Sequence, residues 1–253
     1  MERLALLERI VDVLKNQKNV LACWEGGSAA FGQNDMLSDI DCQAFLDSSE
    51  AVAHVLQALE TTLAELPGIR FRYEVPQPAW HGHFQCFYIF ENSSPFHMLD
   101  LVLMHQKQNM FLETERHGTP HVFFDHAQIC VPQAWDRTAN QLKIKARVQQ
   151  IQNSFAVFHH LVDKEIQRNR PIDAMHFYSG SLISRLVEVA RMVHCPDRYD
   201  YSARYLKRDL PGELYNQIEP LFYVSDLNDL AFKKQKLCDL FYLLAIQAAN
   251  LPN

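Results

Sequence analysis

Asp39 and Asp41 flank Ile40 and follow a Gly26-Gly27-Ser28 turn after ten residues, Ala29 to Ser38. Successive side chains of a strand point to opposite faces, so this spacing predicts that Asp39 and Asp41 emerge together while Ile40 enters the core. Two carboxylates held side by side repel each other. A divalent cation removes that repulsion, and hard oxygen ligands suit Mg²⁺, which takes one or two carboxylates together with substrate phosphates. Gly26 and Gly27 let the backbone turn tightly and approach a ligand with no Cβ in the way. Ser28 offers a hydroxyl and a backbone N–H, and "SAAFG" could begin a short helix whose N-terminus would face an anion. The stretch therefore combines a phosphate cradle with a metal clamp, the pairing that phosphoryl or nucleotidyl transfer requires.

A third acid is wanted on a neighbouring strand. "FHMLDLVLM" places Asp100 in the middle of an otherwise apolar run, where an ionised Asp is costly unless paired or metal-bound. Ser38 sits close enough to contact phosphate, although with Asp35 its plainer role is to shape the loop.

The elements that must position these residues can be read from periodicity. Leu4, Leu7, Ile10, Val11 and Leu14 recur at helical intervals, predicting an amphipathic helix over residues 2–17. "NVLACWEGG" reads as a strand stopped by glycine, and "DIDCQAFLD" as a second strand. "SSEAVAHVLQALETTLAEL" is a capped helix closed by Pro67-Gly68. "IRFRYEV", "FQCFYIFEN" and "FHMLDLVLMH" supply three more strands, with "HVFFD" as an edge strand. Beyond Trp135 the pattern turns helical, with helices expected over 138–167, 172–193, 212–223 and 227–249. The expected class is α+β: a mixed sheet flanked by helices over residues 1–136, then a helical bundle over 137–253.

Bulk properties narrow the function. A net charge of −6 argues against an extended nucleic-acid binder, which would show a strongly basic face. No apolar run approaches the roughly 20 residues of a membrane helix, and the N-terminus lacks the apolar core of a signal peptide. Six scattered cysteines without a Cys-x-x-Cys pair fit reduced thiols and a cytoplasmic location. "HGH" (His81, His83) and "HH" (His159, His160) lack the companions of a zinc site. His97 and His105 flank the Asp100 strand. In the helical half, "CPDRYDYSARYLKRDLP" is dense in Arg, Tyr, Asp and Lys. It reads either as a segment closing over a triphosphate, with Lys207 or Arg204 as cation, or as an interhelical turn held by charge pairs.

The Gly-Gly-Ser turn, the ten-residue interval, Asp-x-Asp and a later strand with a single Asp resemble the DNA polymerase β-like nucleotidyltransferase superfamily. With a helical second half, the chain looks most like the bacterial antibiotic nucleotidyltransferases of the lincosamide- and streptomycin-modifying kind. The resemblance is specific over residues 20–46 and architectural beyond about residue 105. It implies Asp39, Asp41 and Asp100 as metal ligands, with Asp100 alternatively the base for the acceptor hydroxyl. It also implies Gly27 and Ser28 at the β/γ-phosphates, and two Mg²⁺ ions, with Mn²⁺ as a substitute. Where many antibiotic-modifying relatives carry Arg after Gly-Ser-x-Ala, this chain has Phe31. The implied activity moves AMP from ATP to a hydroxyl of a small molecule, of aminoglycoside or lincosamide type, with a homodimer allowed. Two alternatives are AMPylation of a protein, as in toxin–antitoxin pairs, and a non-catalytic nucleotide sensor.

Overall fold

The computed structural model describes residues 1–251, which divide into two compact units, Met1–Trp135 and the segment from Asp136 onward. The first is built on a six-stranded mixed sheet in the order β3-β4-β5-β2-β1-β6. Its strands are β1 (Val20–Glu25), β2 (Ile40–Leu46), β3 (Ile69–Glu74), β4 (Phe84–Phe90), β5 (Leu99–Met104) and β6 (His121–Asp125). Only β2 and β5 run parallel; every other pairing is antiparallel. The α+β class is as expected, and "HVFFD" is the edge strand β6.

Alternation gives the sheet two unlike faces. Cys42, Ala44 and Leu46 of β2, Leu99, Leu101 and Leu103 of β5, and Cys86, Tyr88 and Phe90 of β4 share one face. Leu6, Leu7, Ile10 and Leu14 of helix α1 (Arg3–Lys15) cover it, together with Val55, Leu59 and Leu63 of helix α3 (Ala51–Glu65). The other face is apolar at one end only, where Ala22, Trp24, Phe45, Val102 and Met104 pack on Met110, Leu112 and Ile129. At its opposite end the same face carries Asp41, Asp100, Gln85 and Phe87. A single turn of helix, α2 (Gly27–Ala30), follows β1, and another, α4 (Thr114–His117), precedes β6.

The second unit is helical: α5 (Arg137–Phe158), α6 (His160–Gln167), α7 (Pro171–Phe177), α8 (Ser184–His194), α9 (Leu206–Asp209), α10 (Gly212–Ile218) and α11 (Leu227–Ala249). Asp136 caps α5 by accepting from the Ala139 N–H at 2.9 Å. Asp226 caps α11 by accepting from the N–H groups of Asn228 and Asp229 at 2.8 and 2.9 Å. The helix expected over 138–167 is interrupted at His159, between α5 and α6. The one expected over 172–193 carries a π-helical segment, Tyr178–Ile183, between α7 and α8. Between α6 and α7, Asn169 adopts φ +54° and Pro171 occupies the first helical position, where its missing N–H costs nothing. Phe155 of α5 stacks on Phe241 of α11, ring centroids 3.6 Å apart, inside the core that α8 completes. Among the described residues, no helix is long and apolar enough to cross a membrane.

Candidate active site

Asp41 and Asp100 are direct register partners on the parallel strands β2 and β5, and both are half-buried. The sheet therefore places the two carboxylates side by side on one face, a position that needs compensation. Asp100 stands second in β5 and near its start, not in mid-strand as the sequence suggested. Asp39 precedes β2 by one residue. Its carbonyl is gripped by Arg3 of α1, from Nη2 at 2.8 Å and Nε at 3.2 Å, and Nε also donates to the Ser38 carbonyl at 3.1 Å. The Arg3 guanidinium pairs as well with the buried Glu25 carboxylate. Burial raises the Glu25 pKa above the ordinary carboxylate value, and the Arg3 charge and hydrogen bond only partly offset this.

The Gly-Gly-Ser turn lies directly over this pair of strands. The Gly26 N–H donates to the Asp41 carbonyl at 2.9 Å. A Cβ on Gly27 would stand 1.6 Å from Asp41 Oδ2, and Gly27 has φ +53°, so both space and backbone demand glycine there. A Cβ on Gly26 would meet the Gln43 amide at 2.8 Å. Ser28 Oγ and Gln43 Oε1 are both buried with no hydrogen-bond partner in the protein. Two orphaned polar atoms beside two adjacent carboxylates are unusual in a native interior. Phe31, at the end of α2, is half-buried.

Asp100 is held by a residue that sequence reading did not single out. Gln85 of β4 donates from Nε2 to both Asp100 oxygens, at 2.8 and 3.1 Å. Gln85 Oε1 in turn lies 3.1 Å from His81 Nε2. The available signal was alternation: Gln85 lies two residues from Phe87 on the same face of β4, and Phe87 is the register partner of Asp100.

Other residues singled out in the sequence are placed as follows. The Ser38 hydroxyl is engaged with Asp35, accepting from its N–H at 2.8 Å and donating to Oδ1 at 3.1 Å, so it shapes the loop. His97 bridges Ser93 Oγ at 3.1 Å and the Met36 carbonyl at 3.0 Å, tying that loop to the segment before β5. Segment 195–211 is organised around the buried Arg191. That residue donates to the carbonyls of Ser202 at 2.8 Å, Arg198 at 3.3 Å and Arg204, and to Asp209 Oδ2 at 2.8 Å. These bonds fit the reading of an interhelical turn held by charge pairs. Lys207 is exposed and lines a cavity of about 610 Å³ within the helical unit, with Tyr205, Tyr215 and Glu219. Arg204 instead lies over the Tyr205 ring, 5.1 Å from its centroid.

One His/carboxylate trio has its ligand atoms within 4.8 Å of one another among the described residues: His159, His160 and Asp163. Asp163 is thus the companion that "HH" seemed to lack. Its oxygen, however, also accepts from Lys234 Nζ at 2.7 Å, and that ammonium occupies the charge a cation would need.

No family model and no curated protein matches the chain. Among solved structures it is similar to an aminoglycoside 6-adenyltransferase from Bacillus subtilis, with TM-score 0.38 and 13% identity over 98% of this chain and 90% of that one. It is also similar to a "putative nucleotidyltransferase from H. pylori", with TM-score 0.28 and 12% identity over 99% and 96% of the two chains. With both TM-scores below 0.5, the weight of a functional reading falls on the site.

Proposed function

We propose that the chain is a nucleotidyltransferase that moves AMP from ATP to a hydroxyl of a small molecule and releases pyrophosphate. The observation that carries this reading is the Asp41–Asp100 pair in parallel register, with Gly27 packed against Asp41 too closely for any side chain. The donor set fits Mg²⁺: hard carboxylate oxygens at one end of a sheet face, beside a buried hydroxyl that has no partner of its own. Asp41 and Asp100 would hold the metal, with Asp39 at the entrance of the strand. When bound, the ion neutralises triphosphate charge and makes the acceptor hydroxyl more acidic.

The chain's own residues do the rest. Gly26 and Gly27 present bare backbone where a phosphate must come close. Ser28 Oγ donates to a phosphate oxygen, which satisfies an otherwise orphaned group. The carboxylates and the net charge of −6 favour a cationic acceptor such as an amino sugar.

The test is pyrophosphate release from each labelled nucleoside triphosphate with Mg²⁺, against a panel of aminoglycosides, lincosamides and cell extract. Release by wild type but not by Asp41→Asn supports the proposal. Nucleotide binding without release from any acceptor would make the protein a sensor, and label on protein would make it an AMPylating enzyme.

A further inference from the structure

A polar network of the first unit runs from the "HGH" turn into Asp100. His81 and His83 are both almost fully buried, although they occupy a loop. The His83 N–H donates to His81 Nδ1 at 3.0 Å. A ring nitrogen that accepts cannot carry the proton, so the neutral imidazole bears it on Nε2. Nε2–H then donates to Gln85 Oε1 at 3.1 Å. With its oxygen engaged on that side, the Gln85 amide has one orientation left, the NH₂ toward Asp100, where it reaches both oxygens. The reversed amide would set its oxygen against a carboxylate and its NH₂ against an N–H donor. Every bond in the series thus has a single consistent direction, starting from a backbone N–H that cannot change role.

The turn that starts the series is itself anchored. His83 Nε2 donates to the carbonyls of Gln108 at 2.8 Å and Asn109 at 3.2 Å. Asn109 Nδ2 donates back to the His81 carbonyl at 3.3 Å. The Phe111 ring stands edge-on to both imidazoles, at 5.9 and 6.3 Å. Both His81 nitrogens and His83 Nε2 are used, while His83 Nδ1 is buried without a partner.

We propose that Gln85, fixed by His81, is the positioning residue that orients the Asp100 carboxylate as a metal ligand. Gln85 bonds both oxygens of the carboxylate and so restrains its rotation. Partners of this kind restrain a ligand that would otherwise rotate. The inference rests on the nucleotidyltransferase reading, because it presupposes a cation at Asp41 and Asp100.

The experiment measures Mn²⁺ binding to the nucleotide-free protein by electron paramagnetic resonance, for wild type, Asp41→Asn, Gln85→Met, His81→Phe and the Gln85→Met/His81→Phe pair. Expected are a loss of binding on the order of 10-fold or more in Gln85→Met, a smaller loss in His81→Phe, and a double variant no worse than Gln85→Met alone. In turnover, Gln85→Met should lower kcat with little change in KM for the acceptor. If wild type binds Mn²⁺, Asp41→Asn abolishes it and Gln85→Met leaves it unchanged, the positioning role is overturned while the enzyme reading stands. Additive losses that follow thermal destabilisation would reduce the network to a structural one and overturn the proposal as well. A wild type that binds no Mn²⁺, with or without a non-hydrolysable nucleoside triphosphate, would overturn the enzyme reading, and the inference with it. Gln85→Leu serves as a second variant if Gln85→Met does not fold.

Discussion

Gly27 lies so close to the Asp41 carboxylate that the turn is sensitive to one methyl group. In Gly27→Ala the added Cβ would overlap Asp41 Oδ2 at 1.6 Å, so the carboxylate must swing away or β2 must shift. The backbone at φ +53° adds a further penalty for any L side chain. Misplacing a reacting group by about 1 Å can cost on the order of 100-fold in rate. Gly27→Ala should therefore lose about that factor in kcat, with about 1–3 kcal/mol of stability. Steady-state kinetics and urea unfolding check the two parts separately. Ser28→Ala makes the opposite case. Its hydroxyl has no partner in the protein, so thermal stability should hold or rise slightly while KM for the triphosphate climbs. An unchanged KM would remove Ser28 from the phosphate site.

At the scale of elements, the strands that carry Asp41 and Asp100 were legible from their apolar runs. What tethers them was not. Arg3 looks in the sequence like an ordinary charge at the start of an amphipathic helix. In the fold it is buried, clamps the Ser38 and Asp39 carbonyls, and pairs with Glu25 at the end of β1. Nothing in a 3.6-residue period marks one charged position as inward-facing when the partner lies 22 residues away. Gln85 escaped for a related reason, since a polar residue in a strand reads as solvent-facing until its cross-strand neighbour is known. The break at His159 carries no sequence punctuation, and Ser179-Gly180-Ser181 inside the π-helical segment was read through as one helix. The Arg3 clamp gives a sharp prediction. Arg3→Ala leaves Glu25 buried and unpaired, which should cost about 3–5 kcal/mol in urea unfolding. The Arg3→Met/Glu25→Leu double variant removes both charges and should recover most of that loss. If Arg3→Ala costs under about 1 kcal/mol, the pair is only a surface-grade contact.

Across the whole molecule, each unit buries an Arg–carboxylate pair, and the two carboxylates respond to pH with opposite sign. Glu25 has a folded pKa raised by burial, so its contribution is fully present below its unfolded value and is lost as pH rises through the folded one. Asp209 behaves the other way. Burial disfavours its charge, but hydrogen bonds from Arg208 and Arg191, with Arg198 nearby, outweigh burial and hold its carboxyl below the ordinary value of 3.8. The stability it supplies is therefore complete above 3.8 and is lost as pH falls through the depressed folded value. Its side chain is only 1% exposed and that of Arg191 is wholly buried, so solvent screens the interaction little. Asp209→Asn should start about 3–5 kcal/mol less stable at neutral pH, because Arg191 keeps its charge without a counterion. Below pH about 4 the wild type should fall steeply toward the variant, whose own curve is shallower by the missing proton. Unfolding followed by far-ultraviolet circular dichroism, which reports chiefly on the helices, resolves this across that range. Parallel curves for the two proteins would mean that Asp209 binds its proton equally in the folded and unfolded states, and the charge cluster would then carry none of the acid sensitivity assigned to it.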